Sequence, residues 1–96
     1  MIARMIIVTV PVEKIHEAEK LWKTECAPLM IQQAGCTGEE FLRNVKTGEL
    51  ISLQKWESLA AIEKYRASSA HEHILKHTRG LMGVSHVDVK TYEVVS

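Results

Sequence analysis

Hydrophobic and polar positions along the chain change their period several times, and each change marks a predicted element. Residues 2–10 (Ile-Ala-Arg-Met-Ile-Ile-Val-Thr-Val) are mostly β-branched and predict a first strand, which Pro11 ends. Apolar side chains occupy both alternating sets of positions, so both faces of this strand should be covered. From Glu13 to about Gln33, apolar residues recur every three or four positions. This spacing predicts an amphipathic helix, which Pro28 should kink or divide.

Two strands joined by a turn are predicted next. Residues 34 and 35 (Ala-Gly) provide the helix stop. Residues 37–43 and 49–56 have the composition of strands, and the segment between them begins with Asn44 and ends with Gly48. Because Asn and Gly favour tight turns, this segment predicts a hairpin.

The remainder of the chain predicts a helical region and a last strand. Ser58 is a good N-cap for a second amphipathic helix, which Ser68 and Ser69 interrupt. A further helical stretch is expected from residue 70 to about residue 79. Residues 84–95 then alternate between apolar and polar side chains, which predicts a final strand.

The predicted element order is β-α-β-β-α-β, which is typical of a ferredoxin-like α+β fold with helices on one face of an antiparallel sheet. Ninety-six residues suffice for one domain, residues 1–96, and leave no room for two. The second face of the sheet must also be hidden from water. Face-to-face pairing with a second copy is the simplest way to hide it, so a homodimer is expected.

Charge and cysteine content narrow the possible partners and the compartment. Twelve basic and twelve acidic residues cancel, so neither nucleic acid nor a membrane surface is expected as a partner. The N-terminal apolar run meets Pro11 too early for a signal peptide and is far shorter than the ~20 residues of a membrane helix. Cys26 and Cys36 are therefore expected to be reduced, and a cytoplasmic location is predicted.

Three segments carry a resemblance to a known family. They are Leu53-Gln54-Lys55-Trp56-Glu57-Ser58 with the helix after it, then Ser68-Ser69-Ala70-His71, and upstream Gln33-Ala34-Gly35-Cys36-Thr37-Gly38. Together with the element order, they make nearly the whole chain resemble the antibiotic biosynthesis monooxygenase (ABM) family. The resemblance implies a dimeric α/β barrel with a pocket in each protomer, between the sheet and its helices.

The same resemblance implies a function. Several members of the family oxygenate aromatic polyketides or quinols with O₂ and without metal or flavin. We therefore expect a cofactor-independent monooxygenase that acts on a small aromatic or quinol-like molecule, with molecular oxygen as co-substrate. Two alternatives stay open: a non-catalytic dimeric domain that binds a small apolar ligand, and an isomerase of a small metabolite.

The chain departs from the family pattern at informative positions. Haem degradation is not expected, because residues 2–10 contain no Asn and Leu75 occupies the position of the helical His ligand. Tyr65 stands where many relatives have His, which argues against an acid–base role at that position.

One face of the third strand has the composition of a pocket wall. Strand alternation places Ser52, Gln54 and Trp56 on the same face. Trp56 and Tyr65 are predicted to form an apolar wall, while Ser52 and Gln54 orient a substituent of the substrate. Packing of Trp56 against the helix that follows is the alternative, and both roles can hold at once. Trp22 is expected in the core.

Two further residues are candidates for the pocket. His71 matches the Ser-x-x-His segment of the family and titrates near neutrality, so it is a candidate for proton transfer, although a plain surface position fits equally. Tyr92 shares one face of the last strand with His86, Asp88 and Lys90. That face is interpreted as polar surface or subunit contact, with Tyr92 in the pocket as the functional alternative.

Two histidines and two charged strand residues are also considered as functional residues. His73 and His77 are four positions apart, as a metal-binding pair on one helical face would be. The sequence offers no third ligand at a suitable spacing, so no metal site is expected. Arg4 and Glu40 stand in otherwise apolar strands, where charged groups are usually paired or at an interface.

Overall fold

A computed structural model describes residues 1–80 and 86–96, with only the backbone described for residues 79 and 80. Its strands are β1 (Ile2–Thr9), β2 (Cys36–Asn44), β3 (Glu49–Trp56) and β4 (His86–Glu93). They form one antiparallel sheet in the order β2-β3-β1-β4. The predicted α+β fold with the β-α-β-β-α-β order is confirmed. Residues 84 and 85, predicted to begin the last strand, lie outside the described residues.

The helical region between β1 and β2 is divided more finely than predicted. Its parts are a 3-10 turn (Val12–Lys14), α1 (Ile15–Leu21), a π-helical segment (Trp22–Cys26) and α2 (Ala27–Ile31). The break falls just before Pro28, which stands in the first turn of α2, where its missing N–H costs least. Within residues 1–80 and 86–96, no helix is long and apolar enough to cross a membrane.

The second helical region consists of α3 (Leu59–Arg66) and α4 (Ser69–Gly80). The Ser58 hydroxyl accepts a hydrogen bond from the backbone N–H of Ala61 (3.2 Å), which confirms the predicted N-cap. The Ser68 hydroxyl accepts one from the N–H of His71 in the same way (3.2 Å). The serine pair thus ends one helix and begins the next, and it sets where His71 lies.

All helices pack on one face of the sheet, where two apolar clusters form the core. The larger cluster surrounds Trp56 and Met30 and includes Ile74 of α4, and the smaller surrounds Val8 and Leu50. Phe41 of β2 packs against both clusters. The two cysteines are unpaired, as the sequence predicts, with Cys26 buried and Cys36 partly buried. Burial raises the pKa of the Cys26 thiol to about 11, so this thiol stays protonated.

Candidate active site

Polar side chains line the middle of the sheet on the face that the helices cover. Arg4 of β1 lies opposite Gln54 of β3, and Gln54 lies opposite Glu39 of β2. Arg4, Ser52 and Gln54 are 6%, 3% and 0% exposed. Because a buried polar group without a partner costs free energy, these side chains need partners inside the protein.

The partners are one another. Arg4 Nη1 donates to Gln54 Oε1 (3.1 Å), and Gln54 Nε2 donates to Ser52 Oγ (3.0 Å). Ser52 Oγ in turn donates to the Glu39 carboxylate, at 3.0 and 3.1 Å from its two oxygens. We call these four residues, Arg4, Gln54, Ser52 and Glu39, the polar chain. It crosses three strands and runs from a cation at one end to a carboxyl group at the other.

Two tryptophans attach to the polar chain through their indole N–H groups. Trp56 Nε1 donates to Gln54 Oε1 (3.0 Å), and Trp22 Nε1 donates to Glu39 Oε1 (3.1 Å). Both tryptophans are buried, as predicted for Trp22. Each ring therefore serves the core with its carbon atoms and the polar chain with its nitrogen.

Glu39 is the functional candidate that the sequence did not single out. Burial raises the pKa of its carboxyl group to about 7, although the hydrogen bonds from Ser52 and Trp22 lower it and the charge of Glu40 raises it further. A carboxyl group with this pKa is close to half protonated at neutral pH, as a general base or acid should be. Strand alternation with Phe41 was the available signal, because it places Glu39 on the helix-facing side of β2.

A small cavity lies beside the carboxyl end of the polar chain. It measures about 20 Å³, which is room for one water-sized molecule. Trp22 and Ser52, the two donors to Glu39, both line it, together with Phe41, Thr78 and three aliphatic residues of β1 and β3. The rings of Trp22 and Phe41 stack with their centroids 5.4 Å apart. The cavity is therefore almost entirely apolar, because the hydroxyls of Ser52 and Thr78 are hydrogen-bonded to Glu39 and to the backbone carbonyl of Leu75.

At the other end of the polar chain, three rings pack in series. Trp56 and Tyr65 have their centroids 5.2 Å apart, and the ring of His71 meets Tyr65 edge-on at 5.0 Å. The Tyr65 hydroxyl is buried without a hydrogen-bond partner among the described residues. Burial raises the pKa of Tyr65 well above its usual value, although the charge of Arg4 lowers it. Tyr65 is therefore a neutral phenol whose O–H group can donate a hydrogen bond.

The structure brings most of the predicted site residues together. Ser52, Gln54 and Trp56 share one buried face, as strand alternation predicts, and Tyr65 and His71 adjoin Trp56. Tyr92 instead pairs with Ala3 on the opposite face of the sheet and is 51% exposed. The residues on which the site depends but which sequence reasoning did not assign to it are Glu39, Arg4 and Trp22.

Comparisons with known proteins agree on the fold. The model of the family described as antibiotic biosynthesis monooxygenase matches residues 1–77. Among solved structures, a monooxygenase of Streptomyces coelicolor in complex with nanaomycin D has a TM-score of 0.87 at 11% identity, covering 99% of this chain and 88% of that one. A structure from Bordetella bronchiseptica described as an antibiotic biosynthesis monooxygenase has a TM-score of 0.84 at 16% identity, covering 99% and 97%.

A third structure, from Deinococcus radiodurans and described in the same way, has a TM-score of 0.83 at 16% identity and covers 100% of this chain and 94% of that one. A search of curated proteins found no match. Identities this low show a shared fold and leave the substrate open.

Proposed function

This chain belongs to the antibiotic biosynthesis monooxygenase family, and from that premise we propose that it is a cofactor-independent monooxygenase of a small aromatic or quinol-like substrate. The observation that carries the proposal is the carboxyl group of Glu39, buried at the end of the polar chain with a pKa of about 7. Phenols have a pKa near 10 in water, so a positioned base is needed to make the electron-rich phenolate that reacts with oxygen.

The reaction balances without an added reductant. A phenol and one O₂ give a quinone and one water: the ring loses its O–H and C–H hydrogens, one oxygen atom bonds to the ring carbon, and the other leaves as water. Glu39 takes the phenol proton at the start and returns it to the departing oxygen. Ser52 and Trp22, which both donate to this carboxylate, hold it in place for both steps.

The dimensions of the interior decide where the substrate lies. The cavity of about 20 Å³ takes a diatomic molecule, whereas sites for ring-sized ligands measure at least about 300 Å³. We place oxygen in this cavity, beside Ser52. Because a general base must lie within hydrogen-bond distance of the proton it takes, the substrate ring has to displace some of the side chains that line the cavity to reach the Glu39 carboxyl group.

The remaining site residues act on orientation and charge. Arg4 is a buried guanidinium whose pKa burial lowers, yet an arginine in a protein stays protonated. Its charge and the Tyr65 hydroxyl lie at the far end of the polar chain from Glu39. Each donor in the polar chain polarises the next, so the charge of Arg4 strengthens the hydrogen bond from Ser52 to Glu39 and favours the carboxylate form of this base. The His71 ring contacts Tyr65, so proton transfer by His71 would take place at the Tyr65 end of the polar chain.

Oxygen uptake tests the proposal. Metal-stripped protein is incubated with a panel of hydroquinones and naphthols, and the rate is compared with that of buffer alone. We expect Glu39→Gln to lower kcat/KM by about 100-fold or more, since general-base catalysis contributes about 10²–10⁴. Glu63→Gln, at a glutamate on the outer surface of α3, should leave it unchanged. Rates equal to buffer across the panel, or full activity in Glu39→Gln, contradict an oxygenase with this base.

A non-catalytic ligand-binding domain is the second candidate. One observation favours it over catalysis: Gln54 and Trp56 are fully buried and hydrogen-bonded to each other, so neither is free to orient a reacting substrate. On this reading, panel compounds would raise the melting temperature by binding to the folded state, with no oxygen consumed. Thermal shift and oxygen uptake on the same compounds separate the two candidates.

A further inference from the structure

A second group of chemistry-bearing side chains lies on the outer side of the helix layer. Glu25 of the π-helical segment and His73 and His77 of α4 each offer one ligand atom, and these atoms all lie within 4.8 Å of one another. Glu25 Oε2 is 3.8 Å from His73 Nε2. The imidazole rings of His73 and His77 are 4.3 Å apart between centroids. Glu25 is thus the third ligand that sequence spacing does not reveal.

We propose that Glu25, His73 and His77 form a binding site for a divalent transition-metal ion of the zinc class. Two imidazole nitrogens and one carboxylate oxygen are a donor set that suits zinc, nickel or copper better than magnesium or calcium. Three protein ligands leave the fourth tetrahedral position to water. The site is separate from the polar chain, because Ile74 of the same helix points into the core while His73 and His77 lie outside it.

The orientation of His77 fits a ligand. Its Nδ1 lies 3.0 Å from the backbone carbonyl of His73. A carbonyl oxygen can only accept, so in this contact Nδ1 carries the proton and Nε2 keeps a free lone pair. Metal-binding histidines are commonly fixed in this way, with one ring nitrogen on a carbonyl and the other on the ion.

The helical irregularity explains why Glu25 lies beside α4. A π-turn contains one residue more than an α-turn and so rotates the residues that follow it around the helix axis. The π-helical segment packs against α4, and Glu25 lies on the side that meets His73. π-turns occur often at functional sites, and this one carries a ligand across to a second helix.

The ligand atoms need to move only slightly to bind an ion. Bonds of 2.0–2.1 Å in a tetrahedron put neighbouring ligand atoms about 3.3 Å apart. The side chains of Glu25 and His73 are 47% and 44% exposed, so both can turn inward without repacking the core. Glu25 and His73 line an open groove between Pro28 and Ser69. This groove gives the ion and its water access from solvent. A bound ion would cross-link the π-helical segment to α4.

Zinc titration of the untagged, metal-stripped protein tests the site. Isothermal titration calorimetry should give one zinc ion per chain, and cobalt at the same site should give the visible spectrum of a tetrahedral complex. His73→Ala, His77→Ala and Glu25→Gln should each weaken zinc binding by at least about 10–100-fold, the size of effect known even for outer-shell partners. His16→Ala, at an exposed histidine of α1, is the matched control and should bind like the wild type.

The outcomes that overturn the proposal are distinct. Absence of zinc binding by the wild type removes the site altogether. Unchanged affinity in Glu25→Gln removes the third ligand, and a loss in His16→Ala equal to that in His77→Ala shows unspecific binding to histidines. Zinc should also raise the melting temperature of the wild type but not of His77→Ala, which checks that the ion binds the folded helix pair.

Discussion

At the scale of single residues, Glu39 couples protonation to folding. The carboxyl group keeps its usual pKa of about 4.5 in the unfolded chain, and burial raises that pKa to about 7 in the folded protein. The folded state therefore binds this proton more tightly. It follows that the contribution of Glu39 to stability is fully present below about pH 4.5 and is lost as the pH rises through about 7.

Glu39→Gln should remove this pH dependence. One pKa unit corresponds to about 1.4 kcal/mol, and partial solvent access reduces the total, so the wild type should lose about 1–3 kcal/mol more than the variant between pH 4.5 and pH 8. Urea unfolding at both pH values measures it. All other ionisable groups are the same in the two proteins, so their contributions cancel in the difference. Parallel stability profiles for wild type and variant would show that folding does not raise the pKa of Glu39.

The same residue shows which part of the site a sequence can predict. Ser52, Gln54 and Trp56 were predicted to share a face because alternation along a strand is local geometry. Burial raises the pKa of Glu39, and the hydrogen bonds from Ser52 and from Trp22, 17 positions away, lower it, so the pKa depends on tertiary packing and on the pairing of β2 with β3. Glu25 and His73 meet only because two helices pack together. No spacing within a single element carries that information.

At the scale of elements, the turn after α2 makes a demand that only glycine meets. Gly35 has a positive φ of 88°, and its carbonyl accepts a hydrogen bond from the N–H of Glu57 at the end of β3 (2.8 Å). A Cβ added at Gly35 would lie 2.4 Å from the Cβ of Ala61 in α3. The turn therefore connects the end of the first helical region to the segment between β3 and α3. It also packs close to Ala61 and Trp56.

Gly35→Ala should therefore destabilise the fold. Positive φ costs a non-glycine residue about 1–3 kcal/mol, and the clash with Ala61 adds to that cost. Gly38→Ala is the matched control, because nothing lies within 4 Å of a Cβ added there and its φ is not positive. Chemical denaturation should show a change within about 0.5 kcal/mol for Gly38→Ala. Equal stability of the two variants would contradict the constraint.

In the helices, the sequence predicts the break at Pro28 but not the π-helical segment before it. Pro28 was predicted to divide the first helical region, and it does, because a missing N–H and a ring clash are properties of one residue. The π-helical segment before it was not predicted. Nothing in Trp22–Cys26 distinguishes a π-turn from an α-turn in local propensity. Packing of Trp22 against Phe41 and Glu39 accompanies the wider turn and comes from the sheet.

At the scale of the whole molecule, no helix among residues 1–80 and 86–96 covers the second face of the sheet. Ile7 of β1 pairs with Ile51 of β3, and Met5 with Leu53, on the face away from the helices. All four side chains are only partly buried, and Leu42 of β2, opposite Ile51, is 42% exposed. Apolar side chains on both faces of β1 are what the sequence predicted, and they are the reason to expect a homodimer through this face.

Ile51→Glu should convert such a dimer to monomers. Burying one isoleucine contributes about 1.5–3 kcal/mol, and a two-fold interface contains the position twice, so the dissociation constant should rise by at least about 100-fold. Leu59→Glu is the matched control: Leu59 is 59% exposed on α3, on the helix-covered side. Sedimentation velocity should give a two-chain mass for the wild type and for Leu59→Glu, and a one-chain mass for Ile51→Glu with unchanged circular dichroism. A one-chain mass for the wild type, or dissociation by Leu59→Glu as well, would mean that this face is not the subunit contact.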